Sequence, residues 1–321
     1  MQSVVERMSG SKYVAIADYA LIGDCHGAAL VSRDGAIDWA CVQRFDEGAF
    51  FCRILDAAKG GTFALTPREK TAVTRRYLPE TNVLETTFTT KTGKARVLDC
   101  FAMRARGRTN PHRQLLRIVE GVEGVVTFDV LVQPRFDYGS LRPWLRRAGA
   151  VYSAVGGNDA FVLQADVDLR IVREEASFVG EATVRARQRK RFSIVAQPPW
   201  DMDLERLRQT TIDRRLAATI RWWRRWVNRG SYDSTHREHV VRSALVLKML
   251  TCAPTGAVIA APTTSLPEEI GRDRNWDYRF SWVRDSAHTL AALFPVGHSE
   301  VATGFKLFIE RATAGSADDL Q

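Results

Sequence analysis

The chain has 321 residues, of which 45% are hydrophobic and 26% are charged, and its net charge is +9 at pH 7. These values are ordinary for a globular protein of one large or two smaller domains, and no apolar run approaches the ~20 residues of a membrane-spanning helix. Glu6, Lys12 and Asp18 lie where a secretion signal would need an apolar block. We therefore expect a cytoplasmic protein without a membrane partner.

The first 200 residues show the period-2 alternation of β-strands, interrupted by short turns. Residues 28–42 form two apolar runs around a turn at 33–36, and residues 82–101 repeat this arrangement. Further alternating segments follow over 156–172 and 182–196. Because the rhythm of a βαβ crossover is absent, the sequence predicts an antiparallel β-sandwich over residues 1–200.

A long helix is predicted next, as a linker over residues 201–230. The segment 204–230 contains no proline and no internal glycine, and Gly230 is a suitable C-terminal stop. Its three tryptophans favour packing against the strand domain, with a stacking platform as the alternative. The apolar residues near a 3.6 period are Leu204, Leu207, Leu216, Ile220, Trp223 and Val227.

The remainder, residues 231–321, is predicted to be helical. A second helix follows Ser231, with Ser234 or Thr235 as a possible N-cap. A third helix starts near Asp285 and a fourth covers about 299–312. The loop before the third helix is nearly 30 residues long, and loops of this length are often functional.

Five cysteines without a CxxC pair argue against a disulfide framework and a zinc site, and favour buried free thiols. His26 and His236 have no companions at metal-ligand spacing, and His288 is expected to be an ordinary helix residue. We predict no metal and no cofactor.

The positive charge is spread along the chain and comes mostly from arginine. Its densest run, Arg185 to Arg191, lies between strand-like segments, which favours a solvated face over a phosphate-binding track. A basic nucleic-acid-binding module is an alternative function. A salt-dependent gel shift would test it, and we expect only weak, non-specific binding.

The loop ends in the sequence NWDYRFSWVRDS, residues 275–286, which is rich in rings, arginine and aspartate. Rings beside arginine and carboxylate suit a polar ligand with flat apolar faces, such as a sugar. The alternative is an aromatic junction that is packed for structural reasons and also carries charge.

Three segments resemble the bacterial glucoamylase- and trehalase-like proteins of glycoside hydrolase family 15. They are residues 16–46, the FDYG at 136–139 followed by Trp144, and residues 242–286. The resemblance implies a β-sandwich with a trehalase-like N-terminal domain, a linker helix and an (α/α)6 barrel. It also implies inverting hydrolysis of α-glucosidic bonds in carbohydrate metabolism by two glutamates, an acid and a base.

The resemblance further places Tyr278, Trp282, Arg284 and Asp285 in a pocket for a terminal glucose. Asp285 could accept hydrogen bonds from hydroxyls, Arg284 could donate them, and the two rings could cover the sugar faces. Each residue also has a structural interpretation. Asp285 could be a helix N-cap, Arg284 could pair with Glu268–Glu269 or Asp277, and Tyr278 could simply pack on Trp282.

Glu268 and Glu269 are not expected to be the catalytic pair, because adjacent side chains usually point apart. In the family, both catalytic glutamates lie later than this chain reaches, beyond Gln321. The barrel is therefore expected to be incomplete and the chain to be C-terminally truncated, with undetectable glycosidase activity on its own. A non-catalytic carbohydrate-binding protein is the alternative function. Trehalase or glucoamylase specificity and the oligomeric state stay open.

Overall fold

The computed structural model describes residues 13–69, 71–264, 266, 269 and 271–313. In this part of the chain fourteen strands come first and four helices follow, so the predicted order of strands and helices is confirmed. The strands are β1 Ala20–Gly23, β2 Ala28–Val31, β3 Ala36–Cys41, β4 Thr62–Pro67, β5 Ala72–Tyr77, β6 Leu84–Thr89, β7 Gly93–Phe101, β8 Gln114–Gln133, β9 Trp144–Ala148, β10 Val151–Gly156, β11 Asp159–Ala165, β12 Leu169–Val172, β13 Ser177–Arg185 and β14 Arg189–Gln197. The helices are α1 Gln209–Val227, α2 Arg237–Met249, α3 Val283–Leu293 and α4 Glu300–Ala312.

The strands pair in antiparallel fashion, as predicted, and hydrogen bonds join them into one continuous sheet. The first half of this sheet contains β1, β2, β3, β4, β13 and β12, and the second contains β5, β6, β7, β14, β11, β10 and β9. The two halves face each other, because Phe63 of the first packs edge-on against Phe192 of the second at 6.1 Å between ring centroids. The predicted hairpins at 28–42 and 82–101 are present as β2–β3 and β6–β7.

The long strand β8 connects the two halves. Gln114 to Glu120 pairs with β14 and β7, whereas Val125 to Gln133 pairs with β13 and β4. Gly124 lies where the partners change and has a φ of +58°. A Cβ atom there would lie 2.2 Å from the carbonyl oxygen of Thr92, so only glycine fits this close approach.

A buried ion pair joins the sheet halves. Arg117 on β8 donates to Asp99 on β7 through Nε at 2.8 Å, and both side chains are almost fully buried. The same guanidinium donates to the carbonyl oxygens of Phe63 at 2.5 Å and Gly35 at 2.8 Å in the other half. The fold therefore supplies the buried Arg117 guanidinium with hydrogen-bond acceptors at Nε and at both terminal nitrogens.

Helix α1 spans Gln209–Val227, so the helix predicted over residues 201–230 was too long, mainly at its start. The side chain of Gln164 explains the difference. Its amide nitrogen donates to the carbonyl oxygen of Leu207 at 2.7 Å, and its oxygen accepts from the Leu207 amide at 2.9 Å. These tertiary bonds replace the helical ones, and Arg208 is extended.

The tryptophans of α1 are mainly core residues, which confirms the packing interpretation. Ile212 and Leu216 pack on the second half of the sheet. Trp223 and Trp226 are buried in a second cluster, which joins Cys25 and Met103 of the strand region to helices α2, α3 and α4. Trp222 is half-buried beside that cluster. No helix in the described residues is both long and apolar enough to cross a membrane.

Two arginines of the basic run at 185–191 form ion pairs. Arg189 pairs with Glu120 at 2.6 Å, and Arg191 pairs with Asp213 at 2.7 Å and with Asp166 at 3.0 Å. Residues 185–189 are exposed, in line with the predicted solvated face.

The prediction of buried thiols is confirmed for four of the five cysteines. Cys25, Cys41, Cys52 and Cys100 are buried, and Cys252 is half-buried. Burial raises the pKa of the four buried thiols, so they stay protonated at neutral pH.

Candidate functional site

The long loop between α2 and α3 folds back on itself. Isolated bridges pair Thr251 with Val258 and Ile259 with Ser281. The amide of Ala261 donates to the carbonyl oxygen of Tyr278 at 2.8 Å, and that of Ala260 to Phe280 at 3.2 Å. The end of the loop therefore runs beside its middle, which fixes the backbone of 278–281 immediately before α3.

The four residues predicted for a ligand pocket lie together. Tyr278 and Trp282 have ring centroids 5.7 Å apart with 31° between their planes. The guanidinium of Arg284 lies over the Trp282 ring at 5.9 Å, and its Nη2 donates to Asp285 at 3.3 Å. The side chains of Trp282 and Arg284 are exposed, and those of Tyr278 and Asp285 are half-buried. Two rings, a fork of donors and a carboxylate thus share one accessible surface.

The structural interpretations of these residues have mixed outcomes. Asp285 is not the N-cap of α3, because Trp282 takes that position, but its carboxylate lies in the first turn, where the helix dipole favours negative charge. Arg284 pairs with its neighbour Asp285, and Asp277 is engaged by Arg279. Glu269 forms a surface pair with Arg272 at 3.1 Å, and Glu268 lies outside the described residues.

Arg279 is a buried residue that the sequence did not single out. Its exposed fraction is 4%, and each of its five N–H groups has an acceptor. Nε donates to Asp277 Oδ1 at 3.0 Å, Nη1 to the carbonyl oxygens of Phe45 at 3.0 Å and Glu47 at 2.7 Å. Nη2 donates to Asp277 Oδ2 at 2.7 Å and to the Tyr138 hydroxyl at 2.6 Å. The aromatic loop is thereby anchored on the strand domain.

The pKa values support this pattern of charges. Burial opposes ionisation of Asp277, but hydrogen bonds from Arg279 outweigh it and lower the pKa of the carboxyl. Burial raises the pKa of Tyr138 against the opposing charge of Arg279. At neutral pH the aspartate is therefore charged and the phenol is neutral, which are the states that these hydrogen bonds require.

The turn that carries Tyr138 has an unusual backbone. Asp137 and Tyr138 have φ values of +48° and +55°, and Gly139 follows at +91°. A non-glycine residue in the left-handed region costs roughly 1–2 kcal/mol. Backbone hydrogen bonds between Phe136 and Leu141, at 3.0 and 3.1 Å, close the turn and hold this conformation.

Trp39 anchors the other arm of the loop. Its Nε1 donates to the carbonyl oxygen of Pro262 at 2.8 Å, and its ring stacks on Tyr138 at 6.4 Å between centroids. Trp39 is fully buried. Both arms of the loop are therefore held by neighbouring aromatic residues of the strand domain.

No three or more of the described histidines, cysteines, aspartates and glutamates gather closely enough to hold a metal ion. His26 bonds within its own turn and to the carbonyl oxygen of Arg108 at 3.0 Å, so its ring has backbone partners.

Comparison with known proteins shows that two family models match the chain. Residues 5–222 match the family described as trehalase-like, N-terminal, and residues 234–321 match glycosyl hydrolases family 15. The chain belongs to the trehalase-like N-terminal family, and its last part carries the match to glycosyl hydrolases family 15.

The curated relatives of this chain include trehalases of Thermoplasma and of mycobacteria. It is 34% identical to a trehalase of Thermoplasma volcanium, over 91% of this chain and 46% of the relative. It is 36% identical to a trehalase of Mycolicibacterium smegmatis, over 92% and 47%. A trehalase of Mycobacterium tuberculosis is 35% identical, over 92% and 46%. The chain thus spans about half the length of the curated relatives it matches.

The three segments that resemble family 15 meet at one place. Trp39 and Phe45 come from the first segment, Tyr138 from the second, and Pro262 and Arg279 from the third. Trp144 is different, since it lies on strand β9 with 75% of its surface exposed. The signal for Arg279 in the sequence was its position two residues after Asp277, since an aspartate can accept from the backbone and the side chain of the second residue after it.

Proposed function

We propose that this chain forms the strand domain, linker helix and first barrel helices of a family 15 enzyme that hydrolyses an α-glucosidic bond, with trehalose as the substrate. Its domains would be residues 1–200, 201–230 and 231–321, the last belonging to an (α/α)6 barrel. The support is the family membership together with the names of the relatives, which are trehalases.

The contribution of this chain is to bind a terminal glucose. The observation that carries this proposal is the contact series Tyr278–Trp282–Arg284–Asp285 on one accessible surface. The two rings would cover the apolar faces of the sugar, while Arg284 and Asp285 would exchange hydrogen bonds with its hydroxyls. The sugar would have to share or displace the 3.3 Å bond between these two residues.

The described residues of this segment suit binding better than proton transfer. Both carboxylates in 275–286 that the structure describes, Asp277 and Asp285, are hydrogen-bonded to an arginine. The hydrogen bonds from Arg279 lower the pKa of Asp277, whereas a general acid must hold a proton. Inverting hydrolysis needs two carboxyl groups about 6.5–9.5 Å apart. We propose that both belong to the family's later barrel segment rather than to this loop.

Titration of the chain with trehalose and with maltose tests the binding proposal. We expect Arg284→Ala and Asp285→Ala each to weaken trehalose binding about 10- to 100-fold, because each removes hydrogen bonds to or from a charged group. Isothermal titration calorimetry measures the change in Kd.

The matched control is Lys306→Ala, which removes an exposed charge from α4 that pairs with Glu310 at 3.5 Å. Its affinity should equal that of the unaltered chain. Equal affinity in the Arg284 and Asp285 variants would refute the pocket. Glucose release, followed in parallel, separates binding from hydrolysis.

A further inference from the structure

Arg279 lies between Tyr278 and Trp282 and joins this segment to the strand domain through its side-chain hydrogen bonds. Arg279 is buried while Phe280 and Trp282 are exposed, so the charge of Arg279 faces inward and these two rings face outward. The position of the guanidinium therefore constrains the backbone that carries the exposed rings.

We propose that Arg279 is the positioning residue through which the strand domain sets the geometry of the sugar pocket. This inference rests on the proposed function. It adds a residue that orients the sugar pocket without touching the sugar.

The acceptors around Arg279 explain why the residue is an arginine. Four acceptors of Arg279 belong to the strand domain, namely the carbonyl oxygens of Phe45 and Glu47, the hydroxyl of Tyr138 and, at 3.6 Å, the sulfur of Cys41. The remaining bonds go to the carboxylate of Asp277 in its own segment. Acceptors at Nε and at both terminal nitrogens match the fixed fork of a guanidinium, whereas a lysine ammonium has only three donors.

The strained turn at 137–139 fits the same role. The left-handed conformation of Asp137 and Tyr138 places the phenol where it accepts from Arg279 at 2.6 Å and stacks beside Trp39. The guanidinium also lies 5.4 Å from the Tyr138 ring centroid and 5.9 Å from that of Trp39. Backbone strain that persists in a folded protein is typical of a site whose geometry is functionally constrained.

The test compares Arg279→Lys and Tyr138→Phe with the unaltered chain by amide hydrogen exchange and by trehalose titration. The reporting amides are Ala260 and Ala261, which bond to Phe280 and Tyr278 on either side of Arg279. We expect Arg279→Lys to speed their exchange about tenfold or more and to weaken trehalose binding about tenfold, because bonds to a charged group are lost. Tyr138→Phe removes one acceptor and should change both quantities in the same direction, but less.

The control is Arg272→Lys, an exposed arginine of the same loop that pairs with Glu269 and should change neither quantity. The amide of Ala102, which bonds to Gln114 in the sheet, should exchange at the same rate in all variants. Faster exchange at Ala102 in the Arg279→Lys variant would mean that this substitution unfolds the chain. The Tyr138→Phe variant would then provide the test of the proposal.

Unchanged exchange at Ala260 and Ala261 in both variants would overturn the proposal. Faster exchange with unchanged trehalose affinity would overturn it too, since Arg279 would then only stabilise the loop. If the unaltered chain binds no trehalose, the proposed function is refuted. Exchange at Ala260 and Ala261 would then be the remaining test of whether Arg279 holds the segment 278–282 in place.

Discussion

We expect the Arg117→Met variant to lose about 3–5 kcal/mol of unfolding free energy. The substitution leaves Asp99 buried without the arginine that compensates its charge, and it removes one donor each from the carbonyl oxygens of Phe63 and Gly35. Removing one member of a buried ion pair typically costs this much, because the remaining charge is desolvated without compensation. The urea midpoint of unfolding, followed by far-ultraviolet circular dichroism, measures the loss.

Arg68→Met is the matched control, because Arg68 makes pairs with Asp129 at 2.6 Å and Glu181 at 2.8 Å but is considerably exposed. Exposed pairs contribute about 0–1 kcal/mol, so its midpoint should hardly move. A combined Arg117→Met and Asp99→Leu variant should recover part of the loss, since neither charge then remains. Similar midpoints for Arg117→Met and Arg68→Met would show that the pair does not join the halves energetically.

The Trp223→Ala variant is expected to be destabilised by about 3–5 kcal/mol, because a fully buried large side chain is removed and a cavity remains. Trp223 lies in the cluster that joins α1 to α2, α3 and α4, so the helices should loosen from the strand domain. Differential scanning calorimetry measures the shift in Tm, and amide hydrogen exchange shows which helices and strands become less protected.

Arg221→Ala on the exposed face of the same helix is the control and should leave Tm nearly unchanged. Exchange in Trp223→Ala should rise in α2 to α4 and stay constant in β8. A uniform rise through the whole chain would contradict a specific role of Trp223 in attaching the helices.

The sequence predicted the local structure of the strand region well, because a hairpin depends on alternation and turn residues that are close together. It did not predict that all the strands form one sheet. The pairs β4–β8 and β8–β14 join segments that are far apart in the chain, and no local pattern records their register. The start of α1 was misplaced for the same reason, since Gln164 acts on Leu207 from a distant strand.

At the candidate site, the sequence identified the cluster of rings and charges but not the residue that holds it. Arg279 and Arg284 both lie among aromatic residues, and one is 4% exposed while the side chain of the other is 72% exposed. The burial of Arg279 depends on Phe45, Glu47 and Tyr138, which are remote in sequence. A local pattern therefore indicated candidate residues for binding a sugar, but the contacts that bury Arg279 are tertiary and leave no local pattern.

The shared strand β8 also has a kinetic consequence. Gln133 at one end pairs with Thr62, and Gln114 at the other pairs with Val195. Neither half of the sheet can close before these remote stretches meet, and such non-local closure makes folding slow, on the order of milliseconds to seconds. The edges of both halves stay unpaired until then, so the newly synthesised chain passes through an interval in which intermolecular strand pairing competes with its own closure.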